Sequence, residues 1–381
     1  MSTTRPVLST LVWTVAAALS TAQAGRSLQS TAQSPAGGNG QETRPAQTVY
    51  KNIQVFKDLP AEELVPAMNF IAGSLGVDCD YCHEQNFEAD KLAAKGKARE
   101  MIRMVRRLNE EDFHANAEIT CVTCHRGQAI PSGLPALWPP GSGPAAAPAK
   151  PTADALPSVG QVLDRYVQEL GGQAALDGVK SRVMKTTGLR SGDSKQITEI
   201  YQQAPDKVLH IARGDGGYTT WAGFNGRETW GHDSEKSYWG LLDSGQRLSL
   251  IQESEPYPGS RLRQRYTHVA VLGKEKVGDR EAYVVGGTSP EGARESFFFD
   301  KQTGLLLRRR TEQSTVLGWV PVQVDFEDYR EVDGVKLPFV TRWSSFRSFG
   351  LGYHEGRQIL EVHQNVPIEG GKFDPPASTT R

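Results

Sequence analysis

The sequence has almost no net charge, which excludes one large class of function. Among its 381 residues, 43 lysines and arginines balance 44 aspartates and glutamates, for a formal net charge of −1. A protein that binds nucleic acid needs a broad positive field, so we expect no nucleic acid among its partners. The length predicts two folded units joined by linkers.

Long hydrophobic runs are also lacking. The apolar run near the start, about 13 residues after Arg5, is shorter than the roughly 20 residues that cross a bilayer. It is followed by Ala22-Gln23-Ala24, a small-x-small pattern typical of a signal-peptidase site. We therefore predict a signal peptide over residues 1–24, cleavage before Gly25, and a soluble mature protein in the periplasm.

Cysteine is scarce, and its placement leaves none for disulfide bonds. All four cysteines fall in two copies of Cys-x-x-Cys-His, at Cys79–His83 and Cys121–His125. Two thiols at this spacing reach the two vinyl groups of one haem, and the adjacent histidine presents its imidazole to the iron. We predict two covalently bound haems c, with His83 and His125 as iron ligands. The cysteines predicted to attach them are Cys79, Cys82, Cys121 and Cys124.

A zinc site and a redox dithiol are the alternatives, because they use the same residue types. Zinc leaves the position of the histidine variable, whereas here a histidine follows the second cysteine directly in both copies. Together with the predicted export, this regularity favours haem.

The residue at the sixth iron position decides between electron transfer and ligand chemistry, and methionine is the first to look for. Of the five methionines, Met68, Met101 and Met104 precede the second motif. Met68 lies on an apolar stripe with helical spacing, eleven positions before Cys79. We predict that Met68 binds the first iron, the alternative being a methionine that only packs in the core.

A second helix is predicted from about Lys91 to Asn109, with Met101 inside its apolar face and Met104 at the edge of that face. Only one residue can complete the second iron site. We favour Met101 over Met104, with His114 as a further alternative that we interpret more simply as a loop residue.

The opposite face of this helix carries five cations. We interpret it as a solvated face, the alternative being a surface that docks an acidic redox partner or pairs with haem propionates. The five cations are Lys95, Arg99, Arg103, Arg106 and Arg107. Arg126 is a better propionate candidate, because it directly follows the second motif histidine.

Residues 49–132 resemble the cytochrome c subunit of photosynthetic reaction centres. The stretches that carry the resemblance are Lys51–Val55, Pro66–Met68, Leu75–Cys79, Ala98–Val105 and Thr123–Gln128. The resemblance implies helix-then-motif units, four in that family and two here, with a helix methionine usually the sixth ligand. It also extends to shorter cytochromes of this type from non-phototrophic bacteria. It therefore implies a dihaem electron carrier whose partners are unidentified redox proteins of the bacterial envelope.

The two stretches beside this region have the composition of linkers. Residues 25–48 are rich in Gln, Ser, Gly and Thr, and residues 133–156 in Pro and Ala. Both lack the apolar residues that a core requires, so we predict a disordered linker and a semi-extended spacer between two separate domains.

The pattern of apolar residues in 157–381 predicts one helix followed by an antiparallel sheet. The helix is Val159–Leu170, stopped by Gly171-Gly172. Short alternating runs begin near Val183 and are separated by turn signals, among them Phe224–Gly226, Asp300–Gly304 and Asp333-Gly334. The whole chain is therefore a two-domain protein, α then α+β, whose second domain is a curved half-barrel packed on a helix. This domain resembles LolA-like lipoprotein carriers. The pieces that carry this resemblance are Phe297–Asp300, Thr303–Leu305 and Asp325–Tyr329.

Half-barrels of this kind can hold acyl chains, so the resemblance implies a lipid or other hydrophobic ligand. The simpler interpretation is that the aromatic residues of this domain only form the core of the sheet. The aromatic residues in question are Trp221, Trp230, Trp239, Phe297 and Phe299. The histidines there are scattered and give little support for a metal or catalytic site. They are His232, His268, His354 and His363. The chain as a whole predicts an electron carrier rather than an enzyme, the alternative being a haem enzyme or sensor with one open iron position.

Overall fold

The computed structural model describes residues 44–114, 119–131, 156–189, 197–214, 217–234, 242–315, 318–345 and 355–376. The predicted signal peptide and most of both predicted linkers lie outside these residues. Within them, no helix is both long enough and apolar enough to cross a membrane. A helical segment, residues 44–131, precedes a sheet segment, residues 156–376, which confirms the predicted fold class.

In the described part of the helical segment, which leaves out residues 115–118, there are four α-helices and two 3₁₀ turns. The helices are α1 (Ala46–Val49), α2 (Leu64–Leu75), α3 (Ala93–Glu111) and α4 (Cys121–His125), and the turns are Ala61–Glu63 and Cys79–Tyr81. The third residue of α2 is Pro66. Proline has no backbone N–H, and in the first turn of a helix that N–H would have no partner within the helix, so proline is tolerated there. Helix α2 ends at Gly76, which has the left-handed backbone (φ +65°) that glycine adopts freely. Helix α3 begins and ends two residues later than predicted.

The helical segment begins earlier than the sequence predicted. Ala46 is fully buried in the helical core, and its amide N–H donates to the Leu59 carbonyl (2.7 Å). The amide of Ala61 donates in turn to the Arg44 carbonyl (2.9 Å). The prediction of a disordered linker through Thr48 is therefore wrong for residues 44–48, because their backbone pairs with the strand-like entry to α2.

The solvated face predicted for α3 is only partly confirmed. Three of its five arginine and lysine residues are exposed as expected: Arg103, Arg106 and Arg107. The prediction is wrong for Lys95, which is 8% exposed, and for Arg99, whose side chain is 11% exposed. Both turn toward the loop before the helix, where Asp90 pairs with each of them.

The sheet segment opens with the predicted helix α5 (Val159–Leu170). Ser158 caps it, since its hydroxyl accepts from the Gln161 amide (3.2 Å) and the Gln161 side chain bonds back to Ser158 N–H. Gly171 ends the helix as predicted, at φ +128°. A Cβ at that position would lie 2.3 Å from the Gly334 carbonyl oxygen, so only glycine permits this contact with the sheet. A short helix, α6 (Gln173–Gly178), follows.

Twelve antiparallel strands form one sheet in the order β5-β4-β3-β2-β1-β12-β11-β10-β9-β8-β7-β6. In chain order, the first six strands are β1 (Ser181–Gly188), β2 (Ile197–Gln203), β3 (Lys207–Arg213), β4 (Thr219–Phe224), β5 (Thr229–Asp233) and β6 (Thr267–Val277). The other six are β7 (Arg280–Thr288), β8 (Arg294–Asp300), β9 (Leu306–Thr315), β10 (Gly318–Val332), β11 (Val335–Ser345) and β12 (Glu355–Gln364). The predicted turns at Asn225-Gly226, Asp300–Gly304 and Asp333-Gly334 join β4 to β5, β8 to β9 and β10 to β11, and are confirmed.

Two helices between the edge strands β5 and β6 were not predicted. They are α7 (Ser244–Glu253) and α8 (Leu262–Arg265). Asp243 caps α7 by accepting from the Gln246 amide (2.7 Å) and forms a capping box with Gln246. The sequence contains this capping box, but the prediction of strands alone after α5 gave no place to a helix here. Glu63 of the helical segment also reaches this helix end, where its carboxylate accepts from the Ser244 amide (2.7 Å).

Helix α5 and the sheet share the main apolar core of the sheet segment. Tyr166 of α5 packs against Phe299 with ring centroids 5.0 Å apart, and its hydroxyl donates to the Pro258 carbonyl (2.9 Å). Phe297 and Phe299 are each 1% exposed and Trp230 is 8% exposed, which confirms their interpretation as core residues. Trp221 is half-buried, and Trp239 lies outside the described residues.

Candidate haem sites

The first motif forms a tight turn. The 3₁₀ turn Cys79–Tyr81 is closed by the Cys79 carbonyl, which accepts from the amides of Cys82 (3.3 Å) and His83 (3.0 Å). None of the four motif cysteines is joined in a disulfide. The turn keeps the backbones of Cys79, Cys82 and His83 close together, which attachment of both thiols to one haem would require.

The second motif is a short helix, α4, with a defined start and end. Thr120 caps it in a box with Thr123, whose hydroxyl accepts from the Thr120 amide (3.0 Å). Arg126 ends it in the left-handed region (φ +49°) and is exposed. A propionate contact from Arg126 stays a prediction.

The end of α2 holds the second motif in place. The Gly127 amide donates to the Ser74 carbonyl (2.8 Å), and Ser74 is fully buried. A Cβ at Gly76 would lie 2.2 Å from the Gly127 carbonyl oxygen, so the two backbones touch where only glycine fits. The sequence had associated α2 with the first motif, and this contact with the second was not anticipated.

Both motif histidines are oriented by backbone carbonyl groups. Nδ1 of His83 lies 3.2 Å from the Phe87 carbonyl oxygen, and Nδ1 of His125 lies 3.0 Å from that of Gln128. A carbonyl oxygen only accepts, so each Nδ1 carries the proton and donates it. The lone pair is then on Nε2, which is the nitrogen that an iron ligand must offer.

Burial shifts the pKa of three motif side chains. It raises the pKa of the Cys121 thiol to about 11, and it also raises the pKa of Cys82. Burial lowers the pKa of His83, although its hydrogen bond to Phe87 opposes that effect. Iron ligation needs a neutral imidazole, so the surroundings of His83 fit a haem ligand.

The structure locates the three candidate methionines but does not test them as ligands. Met68 packs against the apolar core of the helical segment, as Cys121 does. Met101 and Met104 are half-buried on α3, and His114 is exposed just beyond that helix (φ +52°). Which of these residues completes each iron site stays a prediction.

A buried cation beside the first motif was missed by sequence reasoning. Nζ of Lys95 donates to the carbonyl oxygens of Phe87 (2.9 Å) and Ala89 (2.8 Å) and lies 3.0 Å from Asp90 Oδ1. The Phe87 oxygen is the one that accepts from His83. A second cation, Arg99, donates to Asp90 Oδ2 (2.9 Å). Side-chain hydrogen bonds, of which the one from Arg99 has the largest effect, hold the pKa of Asp90 well below its usual range. Only the fold brings these charges to the histidine.

Across the described residues, no group of three or more His, Cys, Asp or Glu side chains converges as a metal would require. Each motif supplies two thiols and one imidazole, which is the donor set of a c-type haem.

Residues 14–156 match the family model described as the photosynthetic reaction centre cytochrome C subunit. The first part of this chain is therefore similar to the reaction-centre cytochromes. The resemblance inferred from the two motifs and their helices is confirmed.

Individual cytochromes agree with the family match. The photosynthetic reaction center cytochrome c subunit of Roseobacter denitrificans is 35% identical over 100 residues, covering 23% of this chain and 27% of that protein. The corresponding subunit of Thermochromatium tepidum is 37% identical over 93 residues, covering 23% and 22%. Cytochrome c-554 of Chloroflexus aurantiacus is 37% identical over 82 residues, covering 19% and 20%. The chain thus spans only 20–27% of the length of these cytochromes.

Solved structures resemble the other part of the chain. A DUF1329 family protein from Desulfovibrio piger has a TM-score of 0.39 at 15% identity, covering 57% of this chain and 97% of its own. A LolA superfamily protein from Nitrosomonas europaea has a TM-score of 0.40 at 11% identity, covering 58% and 99%.

The sheet segment holds a half-buried ionic cluster that the sequence did not indicate. Glu253 at the end of α7 pairs with Arg357 (2.6 Å) and with His210 (3.2 Å). Burial alone would raise the pKa of Glu253, but Arg357 and His210 outweigh it and hold that pKa well below its usual range. His210 and Arg357 lie on β3 and β12, far apart in the sequence, so no spacing pattern could have revealed the cluster.

Proposed function

We propose that this protein is a dihaem electron carrier of the bacterial envelope. In this proposal Cys79 and Cys82 attach one haem and Cys121 and Cys124 the other, and each haem supplies the one-electron couple of its iron. The observation that carries the proposal is the common orientation of the two motif histidines, each with Nδ1 tied to a carbonyl and Nε2 free.

Methionine ligation accounts for the remaining iron positions. We infer that Met68 is the sixth ligand of the first haem and Met101 that of the second, with Met104 the alternative. Two six-coordinate haems suit the transfer of single electrons between proteins, because neither iron then offers a site to small ligands. The proposed partners are redox proteins of the envelope. The predicted export would place this protein in the periplasm, the same oxidising compartment.

The first test counts the haems. Pyridine haemochrome analysis of the purified protein should give two haems per chain, and a redox titration should resolve two one-electron steps. The variants His83→Ala and His125→Ala should each lose one step. A count other than two haems contradicts the proposal.

The second test asks whether either iron has an open position. Carbon monoxide should not bind the reduced wild-type protein, and Met68→Leu should bind it at one haem. Comparing Met101→Leu with Met104→Leu decides the ligand of the second haem. Met184→Leu is the matched control, because Met184 is buried in the sheet segment and should leave the spectra unchanged. Appreciable binding by the wild-type protein would instead support a haem enzyme or sensor.

A further inference from the structure

A cleft opens in the sheet segment beside the chain that connects α7 to α8. It measures about 710 Å³ with the solvent at its mouth included, and strands β1, β10, β11 and β12 contribute to its walls. Apolar side chains form much of the lining, including Met184, Phe326, Leu337, Trp343 and Ile359. Such a cleft suits a ligand with an apolar body.

Arg182 of β1 also lines this cleft, and its charge has no carboxylate partner among the described residues. The residue is 3% exposed. Its Nη1 donates to Gln202 Oε1 (3.2 Å) and to the Pro256 carbonyl (3.1 Å), and its guanidinium lies over the ring of Tyr257 at 5.0 Å. Nε and Nη2 are buried and have no hydrogen-bond partner in the described part of the chain.

The geometry of the two unpaired nitrogens selects the ligand group. Nε and Nη2 point along one edge of the guanidinium plane, the edge that binds the two oxygens of a carboxylate or phosphate side by side. A buried cation without a partner is unfavourable, and an anion at this edge would satisfy both the charge and the two N–H groups.

The lining contains five charged side chains, three arginines and two glutamates. Glu253 is paired with Arg357 (2.6 Å), and the charge of Arg309, the other buried arginine, acts on Glu255. Of the Arg309 nitrogens, only Nε is buried without a hydrogen-bond partner in the described part of the chain, so Arg309 does not offer the two-nitrogen edge of Arg182. Over the lining, a single positive charge is left over. A phosphate dianion would leave one negative charge buried, so one guanidinium in apolar surroundings favours a singly charged anion.

We propose that this cleft binds a monocarboxylate with an apolar body, its two oxygens on Nε and Nη2 of Arg182 and its hydrocarbon against Phe326, Leu337 and Ile359. The site is separate from the two haem motifs, and the proposal does not depend on the proposed electron transfer. Nε and Nη2 are shielded from solvent, so entry of the carboxylate requires the side chains that cover them to move.

Isothermal titration calorimetry on the full-length, haem-loaded protein tests the site with three probes. Decanoate should bind, whereas decanol lacks the charge and acetate lacks the apolar body, so we expect each to bind at least tenfold more weakly. Decanol that binds as tightly as decanoate would overturn the role of Arg182. Decyl phosphate that binds more tightly than decanoate would overturn the assignment to a monocarboxylate.

The variant Arg182→Met keeps the apolar stem and removes the charge and donors. We expect it to weaken decanoate at least tenfold while leaving decanol unchanged. Arg213→Met is the matched control, since Arg213 lies on the same sheet with its side chain 53% exposed. Without ligand, Arg182→Met should unfold at an equal or higher temperature than wild type, followed by circular dichroism, because it removes an unpaired buried cation. If it does not fold, or unfolds at a lower temperature, Arg182 is structural and the proposal is overturned.

Discussion

Lys95 places a buried positive charge beside the proposed first haem site, and replacing it with methionine removes that charge at nearly constant size. Its ammonium and the His83 ring donate to the same oxygen, that of Phe87. A positive charge near the iron destabilises the ferric state more than the ferrous state. We therefore expect Lys95→Met to lower the reduction potential of the first haem and to leave that of the second nearly unchanged.

The hydrogen-bond distances set the size of the effect. With Nζ 2.9 Å and Nδ1 3.2 Å from the same oxygen, the charge lies within about 6 Å of the imidazole. At that separation and an effective dielectric constant of about 20, one charge contributes about 3 kcal/mol, or about 120 mV for one electron. Asp90 cancels part of this charge from 3.0 Å, and the iron lies beyond the ring. We expect a fall of about 50 mV.

A spectroelectrochemical titration of the haem-loaded protein measures the two potentials. Lys97→Met is the matched control, because Lys97 lies on the same helix with its side chain 67% exposed, and solvent screens its charge. Its effect should be below about 10 mV. Asp90→Asn should shift the first potential in the opposite direction, and Lys95→Arg, which keeps the charge, should change it least.

Two outcomes would refute this reasoning. One is a Lys95→Met protein with circular dichroism and haem content like wild type but with both potentials unchanged. The other is an equal shift of both steps, which would mean that Lys95 acts on the helical segment as a whole rather than through the His83 site.

Three further predictions concern stability. Gly76→Ala should lower the free energy of unfolding of the helical segment, measured by urea denaturation, by about 2 kcal/mol or more, because the new Cβ would strike Gly127. Gly96→Ala is the control, since its Cβ meets nothing within 4 Å, and it should stabilise α3 by up to about 1 kcal/mol. Equal changes in the free energy of unfolding for the two variants would contradict this prediction. Glu253→Gln should cost about 3 kcal/mol at pH 7. Because the folded pKa of Glu253 is lowered, the difference should shrink as pH falls below about 4.5. Burial raises the pKa of Asp243 to about 6, so the wild type should lose about 2 kcal/mol in urea unfolding as pH rises from about 4 to 6. Asp243→Asn should remove that slope, and a slope that persists assigns it elsewhere.

Much of the helical segment follows from local pattern. The two Cys-x-x-Cys-His copies, the apolar stripe that contains Met68 and the glycine that ends α2 are features of neighbouring residues, so helix and motif positions were predictable. The same holds for α5 and for the three sheet turns, whose residues carry the required backbone conformations themselves.

The sequence alone determined which residues carry the chemistry, because haem attachment depends on thiols and an imidazole a few positions apart. The tertiary structure decided what surrounds them. Helical periodicity assigned Lys95 to a solvated face, whereas a loop carbonyl and Asp90 draw it inward. Arg182 lies in a strand whose alternating sequence does not distinguish it from other strands. Its charge is buried because the connection between α7 and α8 covers β1 at this point. Burial and pairing of charge depend on residues distant in the chain, which no local spacing records.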